Sequence, residues 1–488
     1  MAQSQERFDS AFEWKEEEKL KFANHSPQWE WLERNSNSGY HPVTIGDTFS
    51  NGRYSVVHKL GKGSNGTVWL VRDAQVDRLM ALKILTGSST FRNRERGVYE
   101  FMYDQNEVNP CFTNFLLPQH SFLIQGPNGF HFCLVFRLMG PTLRQFNASN
   151  HMLNPEMHQA LTKPLIEGLL HLHKLGVCAA DISPGNVIFG IVEIASWSDE
   201  QVYATFGAPV GTEVEPLLLR RETRSPDSVA YILKHAPKLV YESIDFFKAP
   251  GIAKFLKPEL EFIDLGEGFL INRPPLFKKL RVNNASPGPE VNFEARPTVA
   301  VDTFGLASVI FALRTGKPLF KTPIGGAQYV AANIRETLGP FPEEWVALMN
   351  NRLEAWNRAK GPSKLEPSRA ERVKAIYRKE SLAQQVAAVG KVKGWLSATP
   401  IGSVESEVFQ DLLRNMMKHK PADRIGMEEV FSHPWVNSKV VSSYPEWLVC
   451  LPASDLGYRW ELDRSLDKDY VPNPDPCRDF DHYYLPSA

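Results

Sequence analysis

Four short motifs in this 488-residue sequence carry side chains suited to binding phosphate groups and a divalent cation. Gly61, Gly63 and Gly66 form a GxGxxG pattern between two β-branched runs, YSVVHKL and TVWLVRD. This arrangement predicts a hairpin whose glycine turn can cover phosphates. Lys83 follows in the apolar run RLMALKIL. An unpaired buried charge there would be costly, so this lysine needs an anionic partner.

The other two motifs supply oxygen atoms. Asp181 and Asn186 have the spacing D-x-x-x-x-N, which lets one turn present a carboxylate to an incoming hydroxyl and an amide oxygen to Mg²⁺. Asp264 follows an apolar strand pattern and precedes Leu265 and Gly266. Mg²⁺ usually takes one or two carboxylates together with phosphate oxygens. Each motif occurs by chance when it stands alone, but the four in this order predict a site for a phosphorylated ligand and Mg²⁺.

Two kinds of pattern surround these motifs. Short β-branched runs before residue 140 predict a small antiparallel sheet, with one helix over 90–106. Further along, Asn154 and Pro155 are a suitable N-cap and first-turn pair for a long helix that ends before Gly176. The run VAVDTFGLASVIFALRTG is apolar almost all round, which predicts a buried helix. The sequence thus predicts a sheet region followed by a helical region.

The composition is that of an ordinary soluble globular protein, with 43% apolar and 23% charged residues and a net charge of −1. Nothing in this balance indicates a nucleic-acid or membrane partner. The five cysteines form no CxxC pair, which favours reduced thiols over a disulfide framework or a zinc site. No signal peptide or membrane-spanning run is evident, so we expect a soluble protein of the cytoplasm, the nucleus or both.

With its motifs in this order, the chain resembles eukaryotic protein kinases, most closely the fungal SR-protein-kinase-like (SRPK) serine/threonine kinases of the CMGC group. Segments outside the four motifs also carry the resemblance: GYHPV at 39–43, PE at 289–290, VDTFGLA at 301–307 and HPW at 433–435. The likeness covers roughly residues 39–436, so it does not depend on one motif.

The resemblance implies an α+β, bilobed protein-kinase fold, with a small antiparallel β-sheet lobe that has one main helix and a larger, mainly helical lobe. The expected parts are an N-terminal extension, an ATP-binding small lobe, a large lobe with a family-type insert, and a C-terminal tail. Their expected ranges are 1–38, 39–140, 141–436 with the insert at about 190–257, and 437–488. An alternative interpretation is that part of this insert forms a surface that binds a partner.

The implied activity is transfer of the γ-phosphoryl group of ATP, with Mg²⁺, to serine or threonine of a protein substrate. The resemblance further implies Arg-Ser-rich substrates of the kind that act in mRNA splicing, and a monomer without nucleic-acid or membrane partners. It makes Asp181 and Lys83 catalytic and Asn186 and Asp264 the Mg²⁺ ligands. The residues implied to surround the nucleotide are Leu60, Gly61, Gly63, Gly66, Val68, Ala81, Lys83, Phe136, Leu138 and Met139. Structural roles are implied for Asp302, which would hold the catalytic loop, and for a buried pair of Glu290 and Arg424.

Some positions depart from the family pattern. Ala179 stands where the family has histidine, and Ala180 replaces the arginine that binds a phosphorylated activation loop. Ser183 replaces a lysine that lies near the γ-phosphate in many serine/threonine kinases. These changes motivate an alternative, a pseudokinase scaffold that binds nucleotide or protein partners with little or no transfer. A nucleotide-dependent oxidoreductase is disfavoured because no βαβ pattern follows the glycines.

The helix glutamate that should pair with Lys83 is ambiguous in the sequence. The family alignment places Gly97 at that position. Glu95 or Glu100 could serve instead only if the helix is rotated or its register differs. This pair positions the phosphates in kinases, so the choice between these residues bears directly on activity.

Overall fold

The structure is a computed structural model. It describes residues 29–32, 37–92, 94–106, 114–149, 153, 155–192, 194–214, 234–249, 252–277, 280, 288–294, 296–320, 327–348, 351, 380–389, 401–437 and 461–462. Asn154, at the expected helix start, and most of the two terminal regions lie outside these residues.

The strands within this part of the chain are β1 (Thr48–Phe49), β2 (Tyr54–Gly63), β3 (Gly66–Asp73), β4 (Arg78–Leu85), β5 (His120–Gly126), β6 (Gly129–Arg137), β7 (Val177–Cys178), β8 (Val187–Ile191), β9 (Gly211–Glu213), β10 (Leu239–Tyr241), β11 (Leu256–Phe262), β12 (Phe269–Leu270) and β13 (Glu461–Leu462). The helices are α1 (Gly87–Arg92), α2 (Arg94–Asn106), α3 (Leu143–Ala148), α4 (Pro155–Lys174), α5 (Asp199–Phe206), α6 (Ala300–Thr315), α7 (Ala327–Leu338), α8 (Leu382–Ala387), α9 (Ser403–Met416), α10 (Met427–Ser432) and α11 (Pro434–Asn437). None of these helices is both long and apolar enough to span a membrane.

The small lobe is a sheet with the strand order β1-β2-β3-β4-β6-β5-β13. All neighbours are antiparallel except β13, which pairs in parallel with β5. The third glycine of the GxGxxG pattern is required by close packing, because a Cβ on Gly66 would lie 2.3 Å from the carbonyl oxygen of Ile84. The predicted glycine hairpin is therefore formed by β2 and β3, and its turn passes directly against β4.

Alternation along β4 decides where Lys83 points. Leu82 and Ile84 pack on one face of the sheet with Trp69. Ala81 and Leu85 belong to the main core on the opposite face. Because successive side chains on a strand point to opposite faces, Lys83 lies on the same face as Ala81 and Leu85. This face is the one that meets the large lobe.

Helices form the large lobe around α6, which is buried almost along its whole length. The same core contains residues of α4, α9 and α10 and the inner face of the sheet. Helix α4 runs through Pro164 without ending there and stops before Gly176, which has a φ of +84°. The two-lobed α+β kinase architecture expected from the resemblance is confirmed by this arrangement and by the structural comparison reported below.

The described part of the insert, between β8 and β11, packs against the sheet. Tyr241 in β10 meets the Trp69 ring edge-on, with 6.2 Å between the ring centroids. Arg72 in β3 binds Asp199 at the start of α5, with 2.6 Å between nitrogen and oxygen. Although the insert interrupts the large lobe in sequence, it covers the outer face of the small lobe.

Buried histidines predict a loss of stability in weak acid. Burial, with a smaller contribution from the His131 ring 4.9 Å away between centroids, lowers the pKa of His41 to about 3. Burial, with a smaller effect from Arg314, also lowers the pKa of His158 to about 3. Both side chains are neutral in the folded protein but bind a proton on unfolding below about pH 6.5. We therefore expect each of these two histidines to contribute a fall of about 1 kcal/mol in the free energy of unfolding between pH 6.5 and 5.5, and almost none above pH 7.

Urea unfolding at pH 7.5, 6.5 and 5.5 measures this dependence. The variant His158→Gln should show a shallower loss between pH 6.5 and 5.5 than the unmodified chain. His171→Gln, at a partly exposed position of α4, is the control and should leave the slope unchanged. A pH dependence of His158→Gln that equals that of the unmodified chain would contradict the prediction.

Candidate active site

Lys83 is held by two carboxylates between the lobes. Its amine donates hydrogen bonds to both carboxylate oxygens of Glu95, at 2.7 and 2.9 Å, and to Oδ1 of Asp264, at 2.9 Å. Glu95 is in the first turn of α2, and Asp264 follows β11. The buried lysine thus has the anionic partners that its position in an apolar strand predicts.

The alignment that places Gly97 opposite Lys83 has the wrong register for this chain. The structure pairs Lys83 with Glu95, two residues earlier, because the first turn of α2 presents this carboxylate to the lysine. Glu100 points elsewhere and binds Arg96 at 2.7 Å on the same helix. At roughly 100° per residue, Glu95 and Glu100 lie on different sides of α2, so only one of them can face the lysine.

The pKa values of Glu95, Asp264 and Lys83 are shifted in different ways. Burial, with a smaller contribution from the nearby Asp264 carboxylate, outweighs the opposing effect of Lys83 and raises the pKa of Glu95 to about 7. Burial also acts to raise the pKa of Asp264, but the Lys83 ammonium and the Gly266 N–H together bring that pKa below its ordinary value. Burial opposes the charge on Lys83, yet the two carboxylates raise its pKa. Asp264 is therefore the carboxylate that stays ionised, as a ligand for a cation must.

A buried aspartate fixes the loop that follows β7. The Asp302 carboxylate on α6 accepts hydrogen bonds from the N–H groups of Ala179 and Ala180, at 2.8 and 2.7 Å. His173 of α4 also bonds to Asp302, at 2.9 Å. Ala180 adopts a left-handed conformation with a φ of +66°, which is unfavourable for alanine unless its surroundings enforce it. The Asp302 contacts are those that the resemblance implies, whereas no pattern in the sequence indicated that His173 would join them.

Asp181 and Asn186 belong to this loop, and the structure places Asp264 next to them. The Asn186 side chain donates to the backbone oxygen of Asp181 at 2.8 Å and to its carboxylate at 3.1 Å. The Ile263 N–H donates to the Asn186 carbonyl at 2.9 Å, which places Asp264 directly beside the loop. Oxygen ligands from two separate motifs therefore converge, and they are of the kind that Mg²⁺ accepts.

Most residues expected around the nucleotide lie on the face of the sheet that carries Lys83. Ala81 and Phe136 are cross-strand partners on β4 and β6, and they share the main core with Met139. Leu60 and Val68 of the glycine hairpin pack against the same core.

Leu138, also expected near the nucleotide, differs from these residues in the direction of its side chain. Its side chain packs with Val57, Leu70 and Ile194 on the side covered by the insert. Strand β6 ends at Arg137, so alternation no longer places the next side chain on the inner face. Leu138 could approach a nucleotide only through its backbone.

The glycine hairpin closes the site from the sheet side. Its turn residue Asn65 lies 3.8 Å from the position that a Cβ on Gly266 would occupy. Gly266 follows Asp264 by two residues, so the hairpin tip stands over the turn that carries the carboxylate. Lys83, Asp264 and the tip of the hairpin therefore lie together between the lobes, where an ammonium and a carboxylate side by side suit an anionic ligand with a bound cation.

Comparison with known proteins agrees with this geometry. No family model matches the chain. Serine/threonine-protein kinase SRPK of Physarum polycephalum is 28% identical over 344 residues, which cover 67% of this chain and 76% of that protein. SRSF protein kinase 3 of Homo sapiens is 35% identical over 156 residues, or 31% of this chain and 27% of that protein.

A further kinase and a solved kinase structure are also similar to this chain. Serine/threonine-protein kinase SKY1 of Saccharomyces cerevisiae is 29% identical over 178 residues, or 33% of this chain and 24% of that protein. The matches to the human and yeast proteins therefore span only about a quarter of their length. A crystal structure of a kinase domain aligns with a TM-score of 0.51 at 16% identity, covering 81% of this chain and 98% of that domain. At this identity the alignment shows the fold alone.

Proposed function

Since the chain is an SRPK-like serine/threonine protein kinase, we propose that it transfers the γ-phosphoryl group of ATP to serine in Arg-Ser-rich proteins. The observation that carries the proposal is the convergence of Lys83, Asp264, Asn186 and Asp181 beneath the glycine hairpin. Phosphoryl transfer demands positioning and charge neutralisation more than covalent chemistry from the protein. These four side chains supply both.

The residues have distinct proposed roles. Lys83 would hold ATP phosphates, with Glu95 fixing the position of the lysine. Asn186 and the ionised Asp264 would bind Mg²⁺, which neutralises charge on the phosphates when it is present. Asp181 would orient the serine hydroxyl and accept its proton.

The loop geometry supports a site that needs no activating phosphorylation. Ala180 has no side-chain cation to bind a phosphorylated activation loop, and its backbone is held by Asp302. The Lys83–Glu95 pair is also already formed. We therefore propose that the active arrangement is assembled by the fold itself.

One feature of the site limits where substrate arginines can lie. The guanidinium of Arg144, an exposed residue of α3, fills the space over Gly185, because a Cβ on Gly185 would lie 2.7 Å from its Nη2. No carboxylate in the described ranges forms an ion pair with Arg144. Gly185 precedes Asn186, so this cation lies beside the loop that carries Asp181 and Asn186. An Arg-Ser substrate would have to place its arginines away from this point, since like charges repel.

The experiment is phosphate transfer from ATP–Mg²⁺ to an Arg-Ser repeat peptide. Asp181→Ala should reduce kcat by about 10²–10⁴-fold, the usual contribution of a positioned general base, while binding of a fluorescent ATP analogue persists. Asp411→Ala, an exposed position on α9, is the control and should keep full activity.

The alternative function, a pseudokinase scaffold, is favoured by one specific observation. Ser183 is buried in the catalytic loop where many kinases have a lysine near the γ-phosphate. Transfer that does not exceed that of Asp181→Ala, despite nucleotide binding, would establish the scaffold and reject the enzyme. Transfer to acidic or proline-directed peptides in preference to the Arg-Ser peptide would retain the kinase and reject the proposed substrate.

A further inference from the structure

One side of the glycine hairpin is covered by residues that precede the sheet in the chain. The Lys62 ammonium donates a hydrogen bond to the Trp29 carbonyl and lies 5.9 Å from the centroid of the Trp31 ring. The Tyr40 hydroxyl donates to the Gly63 carbonyl at 2.8 Å. Lys62 and Gly63 are both inside the GKGSNG turn, so the contacts reach the segment that would cover the phosphates.

A buried ion pair holds this N-terminal segment against the same strand. The Lys59 ammonium, which is fully buried, binds the Glu30 carboxylate and donates to the Tyr241 carbonyl at 3.1 Å. It also lies 5.5 Å from the centroid of the Trp69 ring. Breaking such a pair leaves an uncompensated buried charge, so the segment is firmly attached to β2.

The insert completes the attachment from the other side. Trp29 and Leu32 form a small apolar cluster with Val240 of β10. The Ile244 N–H donates to the Lys59 carbonyl at 2.8 Å. The N-terminal segment is thus wedged between the glycine hairpin and the insert.

We infer that residues Trp29–Leu32 and Tyr40 form an N-terminal clamp that positions the glycine hairpin over the ATP phosphates. The inference rests on the proposed nucleotide site. It assigns Lys62 and Tyr40 as positioning residues, which act on the nucleotide only through the hairpin.

The physical reason is the conformational freedom of glycine. The turn holds three glycines, which have no side chains to pack and lose more backbone freedom on ordering than other residues. If the nucleotide alone ordered the turn, the entropy lost by the glycines would reduce the free energy of nucleotide binding. Contacts that hold Lys62 and Gly63 in advance remove part of this cost.

Two single variants test the clamp. Tyr40→Phe removes the hydroxyl bound to Gly63, and Lys62→Met removes the ammonium but keeps an unbranched apolar side chain. Each should raise the KM for ATP about three- to tenfold, the factor corresponding to the loss of one hydrogen bond. The dissociation constant of a fluorescent ATP analogue should rise by the same factor, while the KM for peptide and kcat change less than twofold.

Matched controls come from the same chain. Tyr203→Phe also removes a hydroxyl that donates to a β2 carbonyl, that of Val57 at 3.2 Å, but this carbonyl lies outside the glycine turn. Lys163→Met removes a lysine that lies 5.2 Å from the centroid of the Phe431 ring in the large lobe. Neither control should alter the KM for ATP.

The outcomes separate positioning from general stability. A purely structural role would lower the unfolding temperature and the apparent kcat of Tyr40→Phe while leaving the KM for ATP unchanged, and this result would overturn the inference. An equal rise in KM for Tyr203→Phe would overturn it too. If the chain transfers no phosphate to any peptide, the proposed function fails, but the analogue-binding comparison still decides for or against the clamp.

Discussion

Asp264→Asn is expected to reduce phosphate transfer by about 10³–10⁵-fold, the range associated with removing one charged group that acts on the transferred phosphoryl. Asp264 is the carboxylate whose pKa the Lys83 ammonium holds below its ordinary value, so it is the ionised ligand in the cluster. Asparagine keeps the shape but removes the negative charge that attracts Mg²⁺. Initial rates at saturating ATP, measured over a Mg²⁺ titration, provide the test.

Folding should survive this substitution. Two carboxylates share the ammonium of Lys83, and Glu95 remains bound to it at 2.7 Å when Asp264 is neutralised. We therefore expect the free energy of unfolding to change by no more than about 1 kcal/mol, because no buried charge is left without a partner. Asp411→Asn, at an exposed position, is the isosteric control. An Asp264→Asn variant that retains more than a tenth of the activity would exclude Asp264 as an essential Mg²⁺ ligand.

The core of the site was predictable because its residues lie in short motifs. The D-x-x-x-x-N spacing places Asp181 and Asn186 in one turn, and the structure joins their side chains at 3.1 Å. The apolar run around Lys83 predicts a strand and a buried charge that needs a partner. Within these motifs local periodicity and spacing suffice, since the residues involved are neighbours in sequence.

The partner of Lys83 could not be deduced in the same way. Sequence patterns predict one helix over 90–106, and the described residues of this range are helical. Which side of α2 faces Lys83 depends on how the helix packs on the sheet, and the helix carries glutamates on two different sides. Helical periodicity alone does not choose between them.

Sequence patterns also could not predict contacts between residues that are far apart in the chain. Lys62 meets Trp29 from 33 residues away, and Lys59 meets Tyr241 from 182 residues away. The aromatic residues near position 30 indicate packing but not the surface on which they pack. The packing of the insert could not be predicted either. Its residues lie within the large lobe in sequence, but its described part packs on the small lobe.

A second large effect is expected at the buried pair of Glu290 and Arg424. The guanidinium binds both carboxylate oxygens, at 2.5 and 2.6 Å, and it also donates to the carbonyls of Lys418 and Ala300 at 2.7 and 2.9 Å. Burial raises the pKa of Glu290, although Arg424 opposes this shift. Water cannot replace either partner, so Glu290→Gln should leave a buried cation only partly compensated. We expect a loss of about 3–5 kcal/mol in the free energy of unfolding.

Urea unfolding of a double-mutant cycle measures the coupling within this pair. Glu290→Gln and Arg424→Met should each be strongly destabilising, while the double variant should lose less than the sum of the two, because neither charge is then left alone. Glu344→Gln breaks the exposed Lys420–Glu344 pair, which has a similar distance of 2.5 Å, and should destabilise the protein far less because water screens the two charges. Equal losses for Glu290→Gln and Glu344→Gln would show that burial does not strengthen the Glu290–Arg424 contact. A larger loss at Glu290 would show that burial is what makes the Glu290–Arg424 contact a major contribution to the stability of this part of the fold.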